Sequence, residues 1–429
     1  MSKYKFVLIG VIIILLPFMF YSYSQLPLSS SSYPSGPHLT QKDRVLVVAP
    51  HPDDETIAAG GVINYCTNLH IPLKVVVLTD GDGYHGGSAA VRYNETLNAT
   101  HILGLNPDDV IFLGYPDGGL YYLFNQNWDP DKPYSNHQGG LKVNYTYSFR
   151  KNQTICGANL EKDLEDVINE FQPTVIIYPD GDDQQEDHKA AQAFLEYTTS
   201  HMNYTGSKYN YLVHFAFSWP YPRTYNPEYN LLPPKEFKDA QWKVFPINIT
   251  TQRIKEKALT SYHSQVGLSS YLLSFVRRNE LFSTYNTLNL VENNVSFTDP
   301  SGPENDHQPP PELDLEQVGI QLDKDKMWLY LTSKAPLSAT GYYNFKIVSM
   351  GDQVHRFDIQ YHQGQVQSSI INSQSEELPL MKAEVQGNLL KVEIPLSTFG
   401  NSKLIIMSAY TAGSQGKVDS SRWQLFKIK

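Results

Sequence analysis

The sequence predicts two folded units: an α/β domain on a doubly wound, mostly parallel sheet, followed by an all-β sandwich. Two patterns carry this. Between residues 43 and 292, short apolar β-branched runs alternate with segments of helical spacing, the rhythm of successive βαβ units with right-handed crossovers. From residue 296 to 429 the helical spacing gives way to short alternating runs separated by turns, as in a β-sandwich. A chain of 429 residues also suits two domains better than one.

Residues 1–24 differ in kind from the rest. Lys3 and Lys5 precede an apolar run from Phe6 to Phe20, and Tyr21 and Tyr23 come next at an interface position. The run is shorter than the roughly 20 residues of a spanning helix. The tyrosines lengthen it, and no small-x-small cleavage site is present after it. The expectation is an uncleaved signal anchor: a single transmembrane helix in the cell membrane, basic end inside, with the body of the chain extracellular. A cleaved signal peptide on a secreted chain is the other reading. Residues 25–42, rich in Ser and Pro, read as a flexible tether with nothing to bury.

The first strand is Val45 to Ala49, and Pro50 and Pro52 take the chain out of the sheet because they cannot continue a ladder. A helix can begin in the small-residue stretch Thr56 to Gly61. Leu73–Leu78, Val110–Leu113 and Thr174–Tyr178 are the next strands; Ala89–Leu103, Leu160–Phe171 and Lys189–Tyr197 have helical spacing, with Gly104 a C-cap. Gly119 to Gly157 interrupts the rhythm, and either a substrate lid or wall or a surface β-hairpin fits it. After a Pro-rich stretch ending at Pro311, strands are expected at Val318–Leu322, Trp328–Thr332, Tyr343–Val348, Phe357–Tyr361, Leu389–Ile394, Leu404–Ala409 and Trp423–Ile428.

A net charge of −10 without a long basic cluster argues against nucleic acid as a partner. Two cysteines, Cys66 and Cys156, make no disulfide framework, though one bridge stays open. Asn-x-Ser/Thr sequons occur at Asn94, Asn98, Asn144, Asn152, Asn203, Asn248 and Asn294, of which Asn94 and Asn98 fall on a helix expected to be buried or site-facing.

His51, Asp53, Asp54 and Glu55 crowd the carboxyl end of the first strand, where an open α/β sheet binds its ligands. An acidic turn with a helix N-cap is the bland alternative. The histidine, fixed between two prolines, favours a metal or catalytic site.

This stretch resembles the signature of the LmbE/PIG-L family of zinc-dependent N-deacetylases, Pro/Ala-His-Pro-Asp-Asp-Glu, agreeing from His51 to Glu55. The resemblance implies a Rossmann-like sheet, zinc (Zn²⁺) held by His51 and Asp54, and Asp53 as general base. A third ligand is expected at another strand end. Asp180 to His188 comes after the fourth strand and offers His188. Two histidines and one carboxylate leave a tetrahedral position open for water, whose pKa falls toward ~7 and which Asp53 would deprotonate. The chain departs from the commoner His-x-Asp-His at Gln185-Glu186-Asp187-His188. Zinc, helped by Gln185 or a cation such as Arg92, is expected to stabilise the oxyanion; Gln185 can donate a hydrogen bond but cannot transfer a proton.

Arg92 and Glu95 match the Arg-x-x-Glu whose arginine holds substrate in the family; a helix-surface ion pair is the alternative. Asp117, in Tyr-Pro-Asp-Gly, resembles the sugar-contacting loop, or is simply a turn residue. Tyr211–His214, Trp219–Pro222, Lys257–Gln265 (ending Tyr-His-Ser-Gln) and Phe275–Phe282 resemble later landmarks; His263 is expected to line the pocket and His214 to sit in the core. The resemblance covers Arg44 to Phe282.

The last third resembles the modules grouped with family-nine carbohydrate-binding domains through Asp299-Pro-Ser-Gly, Leu313-Asp-Leu and Asp419–Trp423. A sugar binder and a structural spacer both fit. Together these readings imply an exported zinc hydrolase, tethered to the membrane by its N-terminal helix, that removes acetyl groups from N-acetylated amino sugars or glycans. The rival is a non-catalytic glycan-binding or envelope-structural protein on the same fold, for which the missing histidine and the appended sandwich are the evidence.

Overall fold

The computed structural model describes residues 33–83, 89–216, 219–290, 294–300, 308–323, 325–370 and 381–428. The expected anchor, residues 1–24, and the tether as far as residue 32 lie outside them. Among the described residues no helix is long and apolar enough to cross a membrane.

Five strands run parallel: β1 (Val45–Ala49), β2 (Leu73–Thr79), β3 (Val110–Tyr115), β4 (Val175–Pro179) and β5 (Ser207–Tyr211). With β6 (Gln241–Pro246) and β7 (Asn279–Thr284) they form a sheet in the order β3-β2-β1-β4-β5-β7-β6, β7 antiparallel to both neighbours. Every residue of β1 and β4 is buried, because helices cover both faces and alternation is lost. Val45, Val47 and Ala49 pack with α1 (Asp54–Asn68), α2 (Ala89–Ile102) and, nearer the sheet edge, α6 (Ile249–Leu259). Leu46 and Val48 point the other way, toward α3 (Leu120–Asn125), α4 (Gly157–Phe171) and α5 (Glu186–His201). The short α7 (Ser269–Leu273) completes this domain. The order reverses between β1 and β4, so the crevice at their carboxyl ends is the switch point where such sheets bind ligands.

The sandwich strands are β8 (Leu288–Leu290), β9 (Asn294–Thr298), β10 (Leu315–Asp323), β11 (Lys326–Ser333), β12 (Tyr342–Met350), β13 (Val354–His362), β14 (Gln365–Ile370), β15 (Lys382–Gln386), β16 (Leu389–Pro395), β17 (Leu404–Gly413), β18 (Gly416–Ser420) and β19 (Gln424–Ile428). One sheet runs β15-β16-β11-β10-β9; the other runs β14-β13-β12-β17-β19-β8, with β18 on β17. Phe345, Ile347, Ile405 and Met407 face the sandwich core. Their alternates Val348, Met350 and Ile406, with Trp423, pack instead into the core beneath α4 and α5. The middle of the second sheet, β12 and the first half of β17, is therefore buried on both faces, and the two domains share a hydrophobic layer.

Several expectations change. Residues 33–42 are no free tether: Gly36 N donates to Val244 O, Val244 N donates to Pro34 O, and Leu39 is buried in the first core. The sandwich begins before residue 296, since β8 pairs in parallel with β19, a long-range partnership that local sequence does not encode. Cys66 and Cys156 are both free and buried. Gly119–Gly157 contains α3 and a hairpin-like return in which Val143 N donates to Gln153 O. All seven sequon asparagines are exposed, including Asn94 and Asn98, which turn away from the core on the outer side of α2.

Candidate metal centre and its pocket

The two prolines after β1 force a tight exit, and Asp53 takes φ 130°, a strained conformation for a non-glycine residue. Its carbonyl accepts from Thr56 N and Ile57 N, starting α1, so Asp53 and Asp54 are fixed at the helix start above the strand end. Asp54 Oδ2 lies 3.0 Å from His51 N and 3.2 Å from His51 Nδ1. His188, in the first turn of α5, brings Nε2 to 3.1 Å from the same oxygen. One ligand atom from each of His51, Asp54 and His188 thus falls within 4.8 Å of the others, all in buried side chains. The three sequence-predicted ligands converge.

The opposite ring nitrogens meet carboxylates: Asp187 and Asp183, to which the sequence reading gave no role, and Asp117, which it placed in the sugar-contacting loop. His51 Nε2 lies 3.3 Å from Asp187 Oδ2 and 3.3 Å from Asp117 Oδ1. His188 Nδ1 lies 3.2 Å from Asp183 Oδ2. Asp187 is itself held by Gly118 N at 2.7 Å and Leu120 N at 3.0 Å. Asp183 accepts from Val213 N and His214 N, each at 2.9 Å, and from Gln185 N at 3.0 Å. A carboxylate behind a histidine fixes its tautomer and raises its basicity as a ligand. The only hint in the sequence was the acid density of Asp180–Asp187 at a strand end.

The charges ask for a cation. Burial opposes a charge on His188, yet Asp183 and Asp54 outweigh it and push the imidazole up to about 10. Burial likewise opposes a charge on His51, and Asp117 chiefly drives it well above its usual range. Neither nitrogen of His188 has the alignment of a hydrogen bond despite its carboxylate neighbours. Histidines that hold protons only because carboxylates surround them exchange those protons for a metal dication. The donor set of two imidazoles and one carboxylate suits zinc and leaves a position open.

His51 and Asp54 border a cavity of about 360 Å³, with His188 buried behind them. Asp53, Arg92, Asp117, Gln185, His214, Gln265 and Tyr271 share its lining. Burial pushes Asp53 up to about 8, opposed by Arg92, whose Nη2 lies 3.2 Å from Asp53 Oδ2. Arg92 also donates to the carbonyls of Pro52 and Gly81. It is therefore committed to Asp53 rather than to Glu95, which accepts from Ser264 N and Oγ. The Arg92–Glu95 surface-pair alternative falls. Gly81 has φ +65°, and a Cβ there would meet Pro52 at 2.9 Å, so only glycine closes this side. Asp117 reaches the cavity; burial opposes its ionisation, but His51 holds it down at about 2.

Gln185 is the N-cap of α5. Its Oε1 accepts from Asp187 N at 2.6 Å and His188 N at 3.0 Å, which leaves Nε2, 3.4 Å from His51 Nε2, on the pocket side. Its side chain does not simply point into solvent. His263 is a correction: it is exposed and absent from the lining, because Tyr262 turns inward to Glu55 and the 3₁₀ turn after it brings Gln265 to the cavity. His214 is a second correction. It lies beyond the end of β5, half-buried, with its ring 4.9 Å from that of His188 and open to the cavity. Burial lowers it to about 4, so it stays neutral.

Residues 46–198 match the family described as PIG-L, GlcNAc-PI de-N-acetylase. The chain is 38% identical over 88 residues to the probable N-acetyl-alpha-D-glucosaminyl L-malate deacetylase 2 of Bacillus anthracis. That match spans 18% of this chain and 38% of that protein, well under two thirds of its length. Among solved structures, 56% of the chain superposes on 97% of a zinc-inhibited teicoplanin deacetylase at 14% identity and a TM-score of 0.37. The same share of the chain superposes on 82% of N,N'-diacetylchitobiose deacetylase from Pyrococcus horikoshii at 18% identity and a TM-score of 0.34.

Proposed function

We propose that the chain is a zinc-dependent N-deacetylase acting on N-acetylated amino sugars or their glycans, with His51, Asp54 and His188 as the metal ligands. The observation that carries the reading is the juxtaposition of that triad with a strained, buried, arginine-held carboxylate, Asp53, which lines one cavity with His51 and Asp54. Zinc bound there would polarise the amide carbonyl and lower the pKa of a bound water. Asp53 takes the proton from the attacking water and returns it to the departing amine. Arg92 holds Asp53 Oδ2, so it orients the base and moderates its basicity. Gln185 Nε2 and neutral His214 are the uncharged donors available to a developing oxyanion. Asp117 is placed to accept a sugar hydroxyl at the rim.

A purely glycan-binding role leaves the cost of Asp53's strain, about 1–3 kcal/mol, without a purpose. Export belongs to the same reading; its support is the apolar N-terminal run and the exposure of all seven sequon asparagines.

The test is acetate release from N-acetylglucosamine and chitooligosaccharides by purified protein, before and after chelation and after zinc is restored. Release that stops with chelator and returns with zinc is expected. Protein that holds stoichiometric zinc yet releases acetate from no N-acetylated sugar would refute the reading.

A further inference from the structure

The sandwich does more than lie beside the α/β domain. Its segment from β18 to β19 runs along the loop Asp180–Gln185 and the first turns of α5. Lys189 Nζ donates to Ser420 O at 2.8 Å, and Gln192 Nε2 to Trp423 O at 2.9 Å. Lys417 pairs with Glu186. Between these contacts Arg422 is inserted, buried, with every nitrogen engaged. Its Nη1 donates to Asp182 Oδ2 at 2.9 Å and to Thr298 O at 3.0 Å. Its Nη2 reaches Asp239 Oδ2 at 3.1 Å, and Nε reaches Gln424 Oε1 at 3.3 Å. The guanidinium carbon lies 4.4 Å from the ring centroid of Tyr285 and 4.6 Å from that of Phe297. The fit leaves no slack: a Cβ on Gly181 would sit 2.7 Å from Arg422 Cβ.

The grip on Asp182 matters because of its neighbours in the chain. Asp182 immediately precedes Asp183, the carboxylate behind His188, and stands three residues before Gln185, the cap of the helix that carries His188. Asp180, Asp182 and Asp183 are three buried acids in four residues. Tyr285 hydroxyl bridges Asp180 at 2.9 Å and Asp182 at 3.2 Å, but a neutral phenol cannot balance their charge. Among the described contacts of Asp182, Arg422 supplies the direct ion pair. Without it these crowded acids would keep only the more distant charge of Lys189, which also favours an ionised Asp182, and the loop would be left to protonate or to move its backbone.

We propose that Arg422 is a positioning residue for the metal centre, clamping the Asp180–Gln185 loop through Asp182, so that the sandwich completes the catalytic site. This rests on the metal-binding reading above. It gives the last third of the chain a role that needs no sugar of its own: it supplies a fixed cation, across a domain boundary, to the loop that orients one metal ligand.

The experiment uses the full chain and compares two buried arginines of the same domain interface. Arg422→Lys keeps the charge but loses the planar fork that spans Asp182 and Asp239. Arg356→Met removes the other anchor, whose guanidinium carbon lies 3.4 Å from the Trp128 ring centroid and whose Nη1 donates to Phe124 O at 3.0 Å, away from the metal loop. Competitive zinc titration, well below each variant's Tm, is the readout. Arg422→Lys should weaken zinc binding by about 10-fold, the lower end of what loss of a direct partner of a ligand costs, because Arg422 acts one step further out. Arg356→Met should lower Tm and leave zinc affinity within about twofold.

Equal weakening in both variants, or wild-type affinity in Arg422→Lys, would overturn the inference. A wild-type chain that binds no zinc would instead overturn the metal reading on which it rests. Should Arg422→Lys not fold, the double variant Arg422→Met/Asp182→Asn removes both charges of the buried pair, leaving only the exposed Asp239 without its ion-pair partner, and is read by the same two outcomes.

Discussion

Replacing Gln185 separates two jobs that one side chain performs at opposite ends of its amide. Oε1 caps α5 through Asp187 N and His188 N; Nε2 faces His51 and the cavity. Because the acceptor end is fixed by two backbone donors, the amide cannot turn over without losing the cap. Gln185→Ala removes both functions. Loss of an N-cap costs about 1 kcal/mol, which lowers Tm by ~2–4 °C in a domain of this size. Loss of a single oxyanion donor lowers kcat by ~10²–10³. The loosened first turn carries His188, so zinc affinity should fall modestly as well.

Gln185→Glu keeps an acceptor at the helix start, where a negative charge is favoured, so its Tm should match or exceed that of the wild type. Its second oxygen would face the developing oxyanion, and its kcat should be lower than that of the alanine variant. Thermal scans of zinc-free and zinc-loaded protein, with acetate release from a small N-acetylated sugar, provide the readings. Wild-type kcat in both variants would show that the amide does not meet the transition state. Wild-type Tm in Gln185→Ala would show that the cap is not needed.

The same geometry sets other outcomes. Asp53→Asn should retain one zinc per chain and lose most turnover; activity within a few-fold of wild type would put the base elsewhere. Arg92→Met should raise the Asp53 pKa, since burial already pushes it up and the cation opposes that. The base works deprotonated and activity is lost as pH falls through its pKa, so the acid limb of the kcat/KM profile should move to higher pH; an unmoved limb would separate Arg92 from the base. Lys255 and Glu280 form a fully buried ion pair at 2.6 Å, and Glu280 also accepts from Gly61 N and Val62 N in α1. Glu280→Gln leaves the lysine charged and unpaired, so denaturant unfolding should show a loss of about 3–5 kcal/mol; a loss below about 1 kcal/mol would mean that water reaches the pair.

The sequence reveals what is local. Val45–Ala49 is a strand with the expected bounds, because apolar β-branched residues bracketed by prolines allow little else. His51, Asp54 and His188 meet as expected, because parallel strands deliver their carboxyl ends to one crevice. The departures are contacts made at a distance or by turns off the helical period. His263 comes directly after the inward Tyr262 and turns out, while His214 lies past the end of its strand and borders the cavity. β14 and β15 are too polar to announce themselves, and β8 is stabilised by β19 rather than by its own three residues. Asp183 and Asp187 looked like members of an acidic run; only the positions of the imidazoles distinguish them from neighbours that face elsewhere.

The pairing of Asp182 with Arg422 spans 240 residues, and this bears on how the molecule comes into being. Synthesis proceeds from the N-terminus at about 5–20 residues per second, so roughly 12–48 s separate the appearance of these two side chains. During that interval the parallel sheet can assemble around β1 and β4, while the loop that leads to His188 still lacks the arginine of the sandwich. Such a long-range closure is slow to find and comes late. The nascent α/β domain should therefore pass through a stage in which it is folded but holds metal poorly, and competence should arrive only with the final strands of the sandwich.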